Sequence, residues 1–215
     1  MAERAAGEAT VAEQPAVVVI GVGNALRQDD GAGLEVARRV RTRASAPEAA
    51  GGVEMAGGGE VAGAGPMAGG GEITVLEYEG EPLGLLELWD GARAAVLVDA
   101  IRSGAAPGAI HRLDASCEPI PALLRGSSST HAVGVGEAIE LARALDRLPE
   151  RVVVYGVEGL CFDAGSELSE EVERVIDTLA EAVLREAADL LAPQRGGCPD
   201  ADRASSLSRY GEGRE

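Results

Sequence analysis

The chain has 215 residues, enough for one domain with flanking segments, since a compact domain typically takes ~100–150. Its hydrophobic content of 46% supports a real core, and with 2% aromatic residues that core has to be built from Ala, Val, Leu and Ile. The formal net charge is -17 and all 19 Lys-or-Arg positions are arginine, a surface sign that repels a phosphate backbone and argues against nucleic acid as partner. No window approaches the ~20 apolar residues of a membrane span, so no membrane is expected either. Met1–Ala5 shows no basic stretch leading into an apolar one, so the expected location is cytoplasmic.

Residues 1–15 are polar and Ala/Glu-rich and read as a flexible leader to a single α/β domain spanning 16–192. The β-branched run at 16–22 predicts a buried strand, and the spacing of Leu34, Val36, Ala37 and Val40 predicts a helix over 33–43. Residues 44–72 are dominated by Gly and Ala, and Met-Ala-Gly-Gly-Gly-Glu occurs at both 55–60 and 67–72. So few large apolar groups cannot offset the entropy of ordering the segment, so it reads as a disordered insertion.

Ile73–Tyr78 alternates as a strand, and Pro82 suits the first turn of a helix whose apolar face is Leu83, Leu85, Leu86, Leu88 and Trp89. Residues 94–98 predict a third buried strand ending directly in Asp99. Residues 107–113 predict an edge strand, possible in the antiparallel sense, with His111 facing solvent. A serine-rich loop, Gly126–Thr130, leads to a helix over 131–146 that His131 would open. Residues 151–157 predict another strand, and Ser169 suits the N-cap of a last helix running to about Leu191. After Pro193 the composition predicts a disordered tail over 193–215. Strands alternating with helices in this way predict a three-layer α/β fold with a mostly parallel, twisted sheet of about five strands flanked by helices on both faces.

In such a sheet, ligands bind at the carboxyl edge of the strands. Asp30 follows the first strand, Asp99 ends the third, and His131 precedes a helix, so two carboxylates and one imidazole are placed to converge there. Two oxygen donors and one nitrogen suit a first-row divalent metal such as nickel, zinc or manganese with positions left open, and the same trio could hold and deprotonate a water. Each member also has a plain structural reading. Asp29 or Asp30 can serve a helix N-terminus, where the helix dipole favours an acid by ~0.3–1 kcal/mol. Asp99 can cap a loop, and His131 can simply begin its helix.

Other chemistries fail on their motifs. Gly21-x-Gly23 has Leu26 where a dinucleotide fingerprint needs its third glycine, and no nucleophile elbow or phosphate loop occurs. Cys117, Cys161 and Cys198 are widely spaced with no Cys-x-x-Cys pair, which argues for reduced, isolated thiols over a disulfide or zinc site. Ser127–Ser129 beside His131 read more simply as a loop and cap than as nucleophiles.

In order and spacing, Gly21-Val22-Gly23-Asn24, Asp29-Asp30-Gly31-x-Gly33, Val98-Asp99-Ala100, Pro107-Gly108, Ser129-Thr130-His131, Tyr155-Gly156-Val157-Glu158 and Leu168-Ser169 resemble the nickel-iron hydrogenase maturation endopeptidases. The likeness covers roughly 16–190 apart from the glycine-rich insertion. It implies a twisted sheet with helices on both sides, and an endopeptidase that removes a C-terminal extension from the precursor of the hydrogenase large subunit after nickel insertion. By motif, its metal-contacting residues fall on Asp30, Asp99 and His131, the trio topology already suggested. The resemblance further implies no permanently bound cofactor, the nickel being that of the precursor's nascent centre. The chain departs from the family pattern at Asp30, where some relatives carry Glu, and at Glu77–Pro82, where many carry an Asp-Gly-Gly-Thr-like turn. The competing readings are a non-catalytic, metallocentre-binding maturation chaperone using the same trio, and a nucleotide-binding module, which the missing phosphate glycine and the acidic charge oppose.

Overall fold

The computed structural model describes residues 16–44, 73–116, 118–121 and 134–192. The expected leader, the insertion beyond Ala44, Cys117, the serine loop with His131, and the tail containing Cys198 lie outside the described residues.

Five strands form one sheet: β1 (Val17–Val22), β2 (Ile73–Tyr78), β3 (Ala94–Ile101), β4 (Ile110–Asp114) and β5 (Arg151–Glu158), in the spatial order β2-β1-β3-β5-β4. The pairs β1–β2, β1–β3 and β3–β5 are parallel, whereas β4 lies antiparallel to β5 at one edge, with Ile110 opposite Val157. The α-helices among the described residues are α1 (Ala32–Ala44), a single turn α2 (Leu85–Leu88), α3 (Val135–Ala144) and α4 (Glu170–Leu191). No helix among the described residues is long and apolar enough to cross a membrane.

Strand alternation divides the core into two layers. Val17, Val19, Val96, Val98, Val153 and Tyr155 face one way and pack with Val36 and Val40 of α1 and Ile176, Leu179 and Val183 of α4. Val18, Ile20, Ala95, Leu97, Val152 and Val154 face the other way and pack with Leu85, Trp89 and α3's Ala138 and Ile139. The three central strands are therefore covered on both faces, which is why their sequences are continuous apolar runs rather than alternating ones. Trp89, the chain's single tryptophan, is fully buried.

Several boundaries differ from the sequence reading, each for a tertiary reason. β3 does not stop at Val98 but continues through Asp99, Ala100 and Ile101, because these pair with Gly156, Val157 and Glu158 of β5. α3 begins at Val135 with Gly134 as N-cap, later than the expected residue 131. Ala44, assigned to the insertion, is the buried last residue of α1. The helix after Pro82 is only a 3-10 turn and one α turn, and Leu83, expected on its apolar face, is exposed.

Candidate active site

β1 connects to β2 on one side, while β3 lies on the other, so the chain reverses direction across the sheet between β1 and β3. Such a switch point opens a crevice at the carboxyl ends of the strands. Asp30 leaves β1 and Asp99 lies on β3, so both flank it.

The loop after β1 is drawn tight against its own strand. Asn24 N–H donates to the Asp30 carbonyl at 3.1 Å, and a Cβ on Gly23 would meet that carbonyl oxygen at 1.9 Å, so only glycine fits. At the start of α1, a Cβ on Gly33 would stand 2.2 Å from the Val22 carbonyl oxygen and 2.4 Å from that of Val98. The helix thus begins directly on the backbones of β1 and β3, which sets a 3-10 turn, Gln28–Gly31, over the end of the sheet.

Both acids of that turn are buried, and their roles separate. The Asp29 carboxylate accepts hydrogen bonds from the backbone N–H groups of Leu160 at 2.8 Å, Cys161 at 2.9 Å and Ser169 at 2.6 Å, and from the Ser169 hydroxyl at 2.9 Å. The charge of Asp30 acts on Asp99. Asp99 is 7% exposed, and burial, followed by the repulsion of Asp30, pushes its carboxyl up from 3.8 to about 8, against a lowering hydrogen bond from the Ala100 N–H. At neutral pH this favours the protonated form of Asp99.

Asp99 shares a sheet face with Ala95 and Leu97 by alternation, the face that α3 covers. The C-terminal half of α3 meets the amino edge, where Arg143 Nη2 bonds the carbonyl of Ala115 at 2.5 Å. The N-terminus of α3, Gly134, consequently points toward the carboxyl edge. Among the described residues, no group of three His, Cys, Asp or Glu gathers to hold a metal; these residues contribute two carboxylates, and His131 is outside them.

Other candidates take structural places. His111 is half-buried rather than solvent-facing, with Nε2 4.0 Å from Glu158 Oε2 and without a hydrogen bond. Glu158, at the end of β5, is buried and accepts from the Ser103 N–H, the Ser103 hydroxyl and the Gly104 N–H. Burial raises its pKa, but these hydrogen bonds outweigh it and hold the carboxyl below the ordinary glutamate value. Cys161 is a free thiol, partly exposed. Ser169 is the positional N-cap of α4, yet its hydroxyl serves Asp29 rather than the helix. Sequence reasoning found neither the Asp29 clamp nor the Glu158 clasp, because both join loops that are far apart along the chain. The one signal available was an acid pair of which a metal would use only one.

The comparisons agree with this architecture. Residues 71–186, more than half of the chain, match the family model described as hydrogenase maturation protease. The matched span contains Asp99 and His131 but not Asp30. No curated protein matches the chain by sequence. Among solved structures, the hydrogenase maturating endopeptidase HybD from E. coli is similar at 22% identity and a TM-score of 0.58, with 80% of this chain and 92% of that one covered. The [NiFe] hydrogenase maturation protease HybD from Thermococcus kodakarensis is similar at 24% identity and a TM-score of 0.56, over 80% and 98% of the two chains. An endopeptidase from Escherichia coli solved in solution gives 22% identity and a TM-score of 0.59, over 80% and 93%. At these identities the structural likeness establishes the fold, and the family match establishes the kinship: the chain belongs to the hydrogenase maturation protease family.

Proposed function

We propose that this protein is the endopeptidase that removes the C-terminal extension from the precursor of a nickel-iron hydrogenase large subunit once nickel has been inserted, and that Asp30, Asp99 and His131 are the residues that meet the metal. The observation that carries the reading is the buried Asp30–Asp99 pair at the switch point. Burial first, and the charge of Asp30 second, push Asp99 up to about 8, so the bare site disfavours a second ionised carboxylate. A divalent cation relieves that repulsion.

Support for the third donor comes from chain connectivity. His131 lies three residues before Gly134, within ~10 Å of extended reach, and Gly134 begins the helix that covers the Asp99 face. An imidazole added to two carboxylates gives a borderline donor set that suits nickel or another first-row divalent ion. The metal is part of the precursor, with no resident cofactor in the protease. Its presence makes the precursor recognisable, and its charge is available to polarise the scissile carbonyl or a water.

The test is to mix the protein with nickel-loaded and nickel-free precursor and follow the mobility shift that accompanies loss of the extension. Cleavage is expected only with nickel, and Asp30→Ala, Asp99→Ala and His131→Ala are expected to abolish it. Normal processing by these variants sinks the site assignment. Tight precursor binding with no cleavage under any nickel condition replaces the endopeptidase with a maturation chaperone.

A further inference from the structure

Asp29 is a buried carboxylate with four hydrogen-bond donors around it, and the proposed chemistry does not use it. It is fully buried, and its Oδ2 takes three donors, Leu160 N–H, Cys161 N–H and the Ser169 hydroxyl, while Oδ1 takes Ser169 N–H. A carboxylate offers about four lone-pair sites, so these four donors commit most of its capacity to the loop. They also join the two ends of the β5–α4 loop, since Leu160 and Cys161 follow β5 and Ser169 precedes α4.

Around this carboxylate the same two loops are laced by backbone. Asp29 N–H donates to Cys161 C=O at 3.1 Å, Gln28 N–H to Gly165 C=O at 2.8 Å, and Gly165 N–H to Leu26 C=O at 2.9 Å. Arg27 Nη2 adds a bond to the Phe162 carbonyl at 2.8 Å. The 3-10 turn bearing Asp30 is four residues long, too short to hold its own geometry. What fixes it is the β5–α4 loop on one side and the Gly23–Asn24 backbone on the other.

We propose that Asp29 is a positioning residue: by locking the β5–α4 loop onto the Gln28–Gly31 turn, it holds the neighbouring Asp30 carboxylate toward Asp99. This rests on the reading of Asp30 and Asp99 as metal donors. An asparagine at 29 keeps the size but turns an amide N–H₂ toward a cage of N–H and O–H donors, so the turn is released while Asp30 itself is unchanged.

The experiment measures nickel(II) binding to the full chain by calorimetry, with melting temperatures recorded alongside, for the wild type and for D29N, S169A, D30N and L190A. Leu190 is a buried core residue at the opposite edge of the sheet, where its carbonyl accepts from Arg93, so L190A loosens the fold without touching the turn. D29N is expected to weaken nickel binding roughly 10- to 100-fold, as loss of a supporting residue around a metal site does. S169A is expected to weaken it less but in the same direction, while L190A, despite a comparable fall in melting temperature, stays within about twofold of wild type because distant sites act independently. Unchanged affinity in D29N overturns the proposal. So does tighter binding in S169A, which would make Asp29 itself a donor, or an equal loss in L190A, which would reduce the effect to stability. A D30N variant that loses nickel while D29N keeps it refutes the positioning role and leaves the donor assignment standing; equal binding by wild type and D30N refutes both.

Discussion

Replacing Asp99 by asparagine is expected to stabilise the metal-free protein, by an amount that grows with pH. An unfolded chain ionises this carboxyl near 3.8, whereas in the native state burial and then Asp30 push it to about 8. Below 3.8 both states are protonated and the site contributes no pH dependence. Between 3.8 and 8 the unfolded state gives up its proton and the native state keeps it, so stability falls as pH rises. Above 8 the native carboxyl ionises too, and the slope from this site vanishes. At ~1.36 kcal/mol per tenfold change in proton affinity, the full span corresponds to roughly 6 kcal/mol, with roughly 3 kcal/mol of it falling between pH 5 and 7. Asparagine has the shape of the protonated acid and does not titrate. The assay is urea denaturation of wild type and Asp99→Asn in the presence of a chelator at pH 5, 7 and 9. The difference in unfolding free energy should open in favour of the variant by roughly 3 kcal/mol from pH 5 to 7 and by roughly half as much from pH 7 to 9, the slope ending near 8. A difference that stays constant from pH 5 to 9 refutes the account of Asp99 as a carboxyl forced to hold its proton. In Asp30→Asn the same opening should be smaller, with the desolvation part remaining.

The other expectations can be checked separately. Nickel affinity of the wild type should rise with pH up to about 8 and level off beyond it, because metal must displace the proton on Asp99; affinity that is flat between pH 6 and 8 contradicts this. Glu158→Gln should cost roughly 2–3 kcal/mol at pH 7, since hydrogen bonds to a buried charged group are each worth about 1.5–3 kcal/mol. The carboxyl of Glu158 is held below 4.5, so its contribution is present above that value and is lost as pH falls through the depressed one; the penalty of the variant should shrink in acid, as read from melting temperatures at pH 3 and 7. Gly33→Ala should destabilise by about 1–3 kcal/mol or more, because its methyl group meets two strand carbonyl oxygens at 2.2 and 2.4 Å; an unchanged urea midpoint would show that the start of α1 can move away from the sheet.

The meeting of two acids at one edge was legible in the residues because strand-to-helix connections in an alternating α/β chain must lie on one edge. That argument alone brought Asp30 and Asp99 together, and the structure does bury both at the β1–β3 switch point. The antiparallel edge strand was legible too, since Ile110–Asp114 alternates where the central strands do not. Element boundaries were less so. Asp99 reads as a strand terminus because a carboxylate normally ends an apolar run, but pairing with β5 carries the strand three residues further and leaves the acid inside it.

The sequence by itself determined the order of elements, the apolar faces and the types of side chain delivered to the edge, all of which follow from local periodicity and from the short reach of the loops. Only the tertiary structure decided that Asp29 is tied into the β5–α4 loop. Periodicity and spacing do not separate Asp29 from Asp30, and only the family resemblance singles out Asp30. One becomes structural because Leu160, Cys161 and Ser169, more than 130 residues away, turn their donors toward it. The other sits in a turn held by a glycine contact and a backbone hydrogen bond, where its charge acts on Asp99. Long-range hydrogen bonds have no periodicity along the chain, so the Asp29 clamp had to wait for the fold.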